Sequence, residues 1–166
     1  MTGLDSVRQS MADYLTQRGI MAVCAWPEEK RVLDPRPVVA VSVRQCESGP
    51  GGFRDYLGER RNPETGAWEE LYGRRLRLCF GLDLYAPRTA GAAGVEALFD
   101  SLAGTFGQGG PEGLAVREIS RGETEYDREA GLYKCAAQAR CEAWLYAVAD
   151  EGGAFLDFEV RGRRKL

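Results

Sequence analysis

From Leu132 to Val148 the chain alternates with a period of two. Tyr133, Cys135, Ala137, Ala139, Cys141, Ala143, Leu145 and Ala147 fall on one side. Lys134, Gln138, Arg140, Glu142, Trp144, Tyr146 and Val148 fall on the other. Alternate positions without a polar residue are the pattern of a half-buried β-strand. The apolar side is mostly small, so whatever covers it can come close. A helix is the competing reading, because alanine is the best helix former. On a helical wheel, however, Lys134, Gln138 and Glu142 leave no wide clean stripe, and the aromatic end favours a strand.

The same procedure assigns the rest of the chain. Leu4, Val7, Met11, Tyr14 and Leu15 recur at helical spacing, Asp5 or Ser6 can cap, and Gly19 stops a helix over 4–18. Ile20–Trp26 reads as a short buried strand, Pro27–Pro37 as a charged surface loop, and Val38–Val43 as a strand continuing to Cys46. Ser48–Gly52 (SGPGG) breaks the chain. Leu76, Leu78, Phe80, Leu82 and Leu84 alternate with Arg77, Cys79, Gly81, Asp83 and Tyr85, an amphipathic strand ended by Pro87. A TAGAAG link leads to a second helix with Val95, Leu98, Phe99, Leu102 and Phe106 on one face, stopped by GQGGPEG at 107–113. Leu114–Tyr126 is a further strand, DREAG at 127–131 and EGG at 151–153 are turns, and Phe155–Val160 is the last strand before a basic RGRRKL tail.

Phe53–Tyr72 is the least core-like stretch. Asn62-Pro63-Glu64-Thr65-Gly66 has the residues of a tight turn. Glu59, Arg60 and Arg61 precede it and Glu69 and Glu70 follow, so opposite charges facing across two strands can set a hairpin register. The segment 53–75 reads as a projecting hairpin arm, with a long polar loop as the alternative. The fold class expected is therefore α+β: one domain over 1–166, its largely antiparallel sheet carrying two amphipathic helices on one face.

Composition narrows the function classes. With 166 residues, 44% hydrophobic and 28% charged at a net charge of −3, the chain has length for a proper core and no overall basic excess of the kind nucleic-acid binders show. No apolar run is long enough to span a bilayer, and the polar N-terminus does not read as a signal peptide, which points to a cytoplasmic product. The five cysteines sit singly and form no CxxC pair, so they read as buried thiols acting as small hydrophobes. Histidine is absent, which removes the usual zinc sites, Ser-His-Asp triads and Cys-His dyads. The glycine-rich segments lack phosphate-loop register, and the acidic runs Glu69–Glu70 and Glu123–Glu129 lack metal-loop spacing. No cofactor or metal is expected.

What remains are contact residues. Arg60, Arg61, Arg74 and Arg75, with Arg161, Arg163, Arg164 and Lys165, are the basic clusters, suited to a passing nucleic acid or an acidic neighbour, or to a solvated surface. Trp68, in the charged arm, has no core to enter and is a candidate interface anchor. Trp144 and Tyr146, opposite the small face of their strand, are candidates for the same reason, and Trp26 is the remaining tryptophan.

The order of elements — helix, two strands, charged hairpin insertion, LRLCFGLDLYAP, VEALFDSLAGTF and closing strands — resembles the tail terminator (tail completion) proteins of long-tailed bacteriophages and prophages. The resemblance implies a non-enzymatic virion protein assembled in the bacterial cytoplasm. It would form a ring, commonly hexameric, that caps the tail tube and joins it to the head-neck connector, with DNA passing through the channel. It also implies that the arm, with Arg60, Arg61 and Trp68, reaches a neighbouring subunit or the tube. Other neck, connector or tail-tube subunits share this pattern. A small ligand-binding α+β domain is the reading from another class, and an enzyme working with Asp, Glu, Arg or Tyr alone is the third.

Overall fold

A computed structural model of the chain describes residues 4–25, 35–50, 55–150 and 155–161. The sequence-derived features at Trp26, in most of the Pro27–Pro37 loop, at the EGG turn and in the tail beyond Arg161 lie outside them. Among these described residues the fold is α+β, with two helices and a seven-stranded, mostly antiparallel sheet.

Helix α1 (Leu4–Gln17) carries Asp5 in its first turn, where a carboxylate suits the helix dipole, and buries Val7, Met11, Ala12 and Leu15. It stops where the sequence placed the stop. Gly19 takes φ +82°, its N–H reaches the Thr16 carbonyl, and the Ile20 N–H reaches that of Leu15. This paired closure is available because glycine carries no Cβ penalty there, and Ile20 joins Leu15 in the core. Strand β1 (Ala22–Val23) is shorter than the expected Ile20–Trp26 strand, and it pairs parallel with β2 (Val38–Pro50). The break expected over Ser48–Gly52 does not begin at Ser48, and its Gly51 and Gly52 lie outside the described residues. Gly49 and Pro50 still pair, with Arg75 and Arg74, because a proline at a strand's last residue removes little from the ladder.

Strand β3 (Tyr56–Arg61) turns through residues 62–67 into β4 (Trp68–Pro87), a single strand of 20 residues. The segment 53–75 is therefore not separate from the strand at Leu76. Helix α2 (Gly91–Gly107) begins inside the glycine- and alanine-rich stretch expected to be a link. Gly94 is needed small there: a Cβ on it would lie 2.7 Å from Ala90 Cβ and 3.4 Å from Ala86 Cβ. Strand β5 (Ala115–Asp127) and the 19-residue β6 (Leu132–Asp150) follow, then β7 (Phe155–Arg161). The alternation at 132–148 is that of a strand.

Strands β4 and β6 are the spine. They keep one register from Glu69 opposite Asp150 to Pro87 opposite Leu132. On the outer side of β4 lie first β2, against residues 74–85, and then β3, against 68–72. On the outer side of β6 lie first β5, against 132–142, and then β7, against 144–149. Both edges thus change strand at nearly the same level. The sheet has a five-stranded half, β1-β2-β4-β6-β5, and a four-stranded extension, β3-β4-β6-β7.

The core belongs to the five-stranded half. Leu78, Phe80, Leu82, Leu84 and Ala86 of β4 meet Cys135, Ala137, Ala139, Cys141 and Ala143 of β6. Val39 and Val41 of β2 join them, with α1 and the buried side of α2, Val95, Leu98, Leu102 and Phe106, completing the cluster. The small β6 face is what lets the layers approach.

Candidate functional site

The β3–β4 turn is built from its own side chains. Asn62 Oδ1 accepts from the backbone N–H groups of Glu64 (2.8 Å) and Thr65 (3.1 Å). The Gly66 N–H closes onto the Asn62 carbonyl, and Gly66 takes φ +72°. A side-chain acceptor at the first turn residue and a left-handed glycine near its end make this turn self-sufficient. The opposite charges pair only in part. Arg60 stands opposite Glu69, its Nε donating to Oε2 at 2.8 Å, while Asn62 Nδ2 donates to Oε1 at 2.7 Å. Glu69 is buried among these partners, 6% exposed. Glu59, however, stands opposite Glu70, so that like-charged pair does not help the register.

Around this ion pair the extension buries Leu71 and sets Leu57 over Gly73, where an added Cβ would collide with Leu57 Cδ1. Glu69, Leu71 and Gly73 occupy odd-numbered β4 positions, the side turned away from the helices in the other half. The helix-facing side of the extension carries Trp68, Glu70, Tyr72 and Arg74 on β4, with Tyr56 directly opposite Tyr72. The two tyrosine rings meet edge-on at 5.6 Å, and Tyr72 Oη donates to Glu70 Oε2 at 2.7 Å. That donation raises the Tyr72 pKa, helped by burial; for Tyr56 desolvation is the main cause, with the Glu59 carboxylate adding to it. Trp68 is 51% exposed and Tyr56 42%.

The residues singled out from the sequence therefore fall into two groups. Arg60, Arg61 and Trp68 share the turn end, with Arg61 opposite Trp68 and its Nε donating to the Gly66 carbonyl. Arg74, Arg75, Trp144 and Tyr146 lie where the edges change strand, about 20 Å along β4 at the usual rise per residue. Arg74 reaches Asp55 at 3.8 Å on one side, while Arg75 stands opposite Trp144 on the other. Arg75 and Trp144 line a depression of about 740 Å³ with Arg117, Glu142 and the loop after α2. Tyr146 stands opposite Gly73, and Arg161 ends β7 opposite Trp144.

The face of the five-stranded half away from the helices is polar. One row runs Glu47–Arg77–Glu142, and Arg117 donates to Glu142 at 3.0 Å. The next runs Gln45–Cys79–Arg140–Glu118, with Arg140 and Glu118 3.4 Å apart. Together they line an open cleft of about 420 Å³. Most of its charges are matched within the chain. On the helix side a second, apolar groove of about 760 Å³ runs between Ile20–Val23 and the Gly94–Ala97–Ser101 side of α2. Sequence reading missed this groove, Tyr56 and the polar rows; only the charged alternation along β4 and β6 carried a signal for any of them.

Other candidates resolve into structure. Asp127 Oδ1 accepts the backbone N–H groups of Glu129 and Ala130, each at 3.1 Å, which makes it the keystone of the β5–β6 turn. The Ala130 N–H, followed by the Lys134 ammonium, holds its carboxyl below the usual range. Cys135 and Cys141 are buried as expected, and burial pushes the Cys141 thiol up to about 12, far from a thiolate at neutral pH. The remaining cysteines depart from expectation: Cys24, in the bend after β1, and Cys79, on the outward side of β4, are half-buried, and Cys46, in the part of β2 beyond its pairing with β1, is exposed. Among the described residues no group of three or more His, Cys, Asp or Glu is placed to hold a metal. No helix there is long and apolar enough to cross a membrane.

A scan against protein-family models finds no match, and a search of curated proteins finds no significant relative.

Proposed function

We propose that this protein is a self-assembling structural subunit without catalytic activity, working in a ring of the tail-terminator kind. The single observation behind this reading is the four-stranded extension. Two spine strands run on past the helix layer and gain a new partner strand on each side, and the self-contained turn that joins β3 to the outer end of β4 presents Trp68 beside Arg61. Exposing about half of a tryptophan on a charged hairpin brings nothing to folding, whereas tryptophan and arginine are the residue types that dominate interface energetics. In this reading the hairpin is a projecting arm that reaches a neighbouring copy. Arg74, Arg75, Trp144 and Tyr146 lie at the base of the arm, where the tube or the head-neck connector can bear on it. The basic groups face an acidic partner rim or DNA passing through the channel, and the assembled protein resides in the virion.

Native mass spectrometry and negative-stain imaging of the purified full chain test the proposal. Closed rings, alone or on added tail tubes, are the expected result. A protein that stays monomeric at high micromolar concentration and ignores tubes would overturn it.

A further inference from the structure

We infer that the arm of one copy inserts Trp68 into the apolar groove beside α2 of the next copy, with Arg61 set against Asp100. This rests on the reading that the chain assembles with itself, and it names the receiving surface. The knob and the groove are independent features on opposite ends of the fold. Trp68, 51% exposed, is the most exposed large apolar side chain among the described residues. The groove, of about 760 Å³, is lined mainly by Ile20, Met21, Val23, Leu98 and the small Gly94 and Ala97, with Arg36 at its β2 end, across from the α2 rim. Small residues on the α2 side leave room for an indole ring, and the aliphatic wall opposite supplies apolar contact for it.

Charge fixes the orientation. Asp100 is exposed on α2 next to Ser101 at the groove rim and, among the described residues, forms no ion pair. Glu96, one turn earlier, is already drawn toward Arg121 at 3.8 Å. Arg61 is exposed and directly opposite Trp68, and its Nε is held only by the Gly66 carbonyl, a neutral acceptor. An arriving hairpin therefore brings an uncompensated cation to an uncompensated anion. Because knob and groove lie on different elements, each copy offers one of each. Such a contact is head-to-tail, and it propagates into a ring when the rotation closes.

The test uses three full-length samples in sedimentation velocity and native mass spectrometry: Trp68→Ala, which removes the knob, Ala97→Trp, which fills the groove, and their equimolar mixture. Both positions are exposed, so unchanged thermal melts establish that the variants fold. Each variant alone is expected to weaken self-association by on the order of thirtyfold, the usual scale for a tryptophan hot spot. The mixture is expected to form one-to-one dimers and nothing larger, since only one intact knob and one intact groove remain per pair. In a second arm, Arg61→Glu and Asp100→Arg each weaken assembly about tenfold, and combining them in one chain restores it.

Loss of assembly in Trp68→Ala with none in Ala97→Trp would place the receiving surface elsewhere and overturn the inference. Rings that form equally well from both variants would overturn it while leaving the assembly reading intact. A parent protein that never associates removes both.

Discussion

Strands β4 and β6 pass through two environments without changing register, and along β4 the buried residues change sides on the way. Under the helices the even-numbered β4 positions are buried: Leu78, Phe80, Leu82, Leu84 and Ala86. In the extension the buried positions are odd: Glu69, Leu71 and Gly73. No slip intervenes between the two strands, so the switch reflects what lies over each stretch rather than a change in the strand itself. Where α1 and α2 supply cover, the sheet is filled with aliphatic side chains. Where they do not, β4 buries Leu71 and the Glu69 carboxylate on one side and carries the aromatic rings Trp68 and Tyr72 on the other. The first half is built to fold, whereas the second offers surface to something else.

Truncation separates the halves most sharply. Phe80→Ala removes a fully buried ring from the main cluster and is expected to cost about 3–5 kcal/mol of global stability in denaturant unfolding. Leu71→Ala, in the thin extension, is expected to cost roughly 2 kcal/mol, the low end for such truncations. The loss should appear mainly as faster hydrogen exchange in β3, β7 and the outer turns of β4 and β6. Equal global effects would show that the extension folds as part of the main core and that the division is wrong.

A smaller effect concerns the buried ion pair. Arg60→Ala leaves the Glu69 carboxylate with Asn62 Nδ2 but without its guanidinium. Arg60 is itself 31% exposed at its side chain, so the loss is discounted to about 1–2 kcal/mol. Replacing both members by similarly shaped apolar residues should recover most of it, because neither group then pays for desolvation. If the single change has no effect on exchange in β3, the pair does not hold the extension together.

These contrasts also explain what could be read from the chain in advance. β6 was legible because its small apolar positions keep one parity from Tyr133 to Ala147. β4 was legible only from Leu76 onward. Its outer part puts Leu71 on the opposite parity, and a strand whose apolar set changes sides looks like two elements. The start of α2 was hidden for another reason. Gly91, Ala92, Ala93 and Gly94 resemble a linker by composition, but they form the first turn of α2, where the close approach of Ala86 and Ala90 leaves no room for a Cβ at Gly94. The turn at Asn62–Gly66 was legible from local chemistry alone. The groove beside α2 was not, since it joins Ile20–Val23 to a helix some seventy residues away in sequence, and no local pattern encodes that meeting.

The smallest predicted effect is also the one in which the halves differ in sign. In the covered half, the Asp127 carboxyl lies below its ordinary pKa because folding supplies the Ala130 N–H and the Lys134 ammonium. Its stabilisation is therefore present above the unfolded value near 4 and disappears as pH falls through the folded one. In the extension, the Tyr72 hydroxyl is raised because it donates to Glu70, and Tyr56 is raised mainly by desolvation. Their stabilisation is present below the ordinary value near 10 and disappears as pH climbs through the raised one. Asp127→Asn should thus lower the melting temperature slightly at neutral pH and converge with the parent in acid. Tyr72→Phe should differ from the parent at neutral pH and converge with it in alkali. Both groups are surface-accessible, so the shifts should be small and best seen as differences between pH profiles. Profiles that converge on the same side of neutrality would mean that one electrostatic regime governs the whole sheet, and the distinction between covered half and extension would then rest on packing alone.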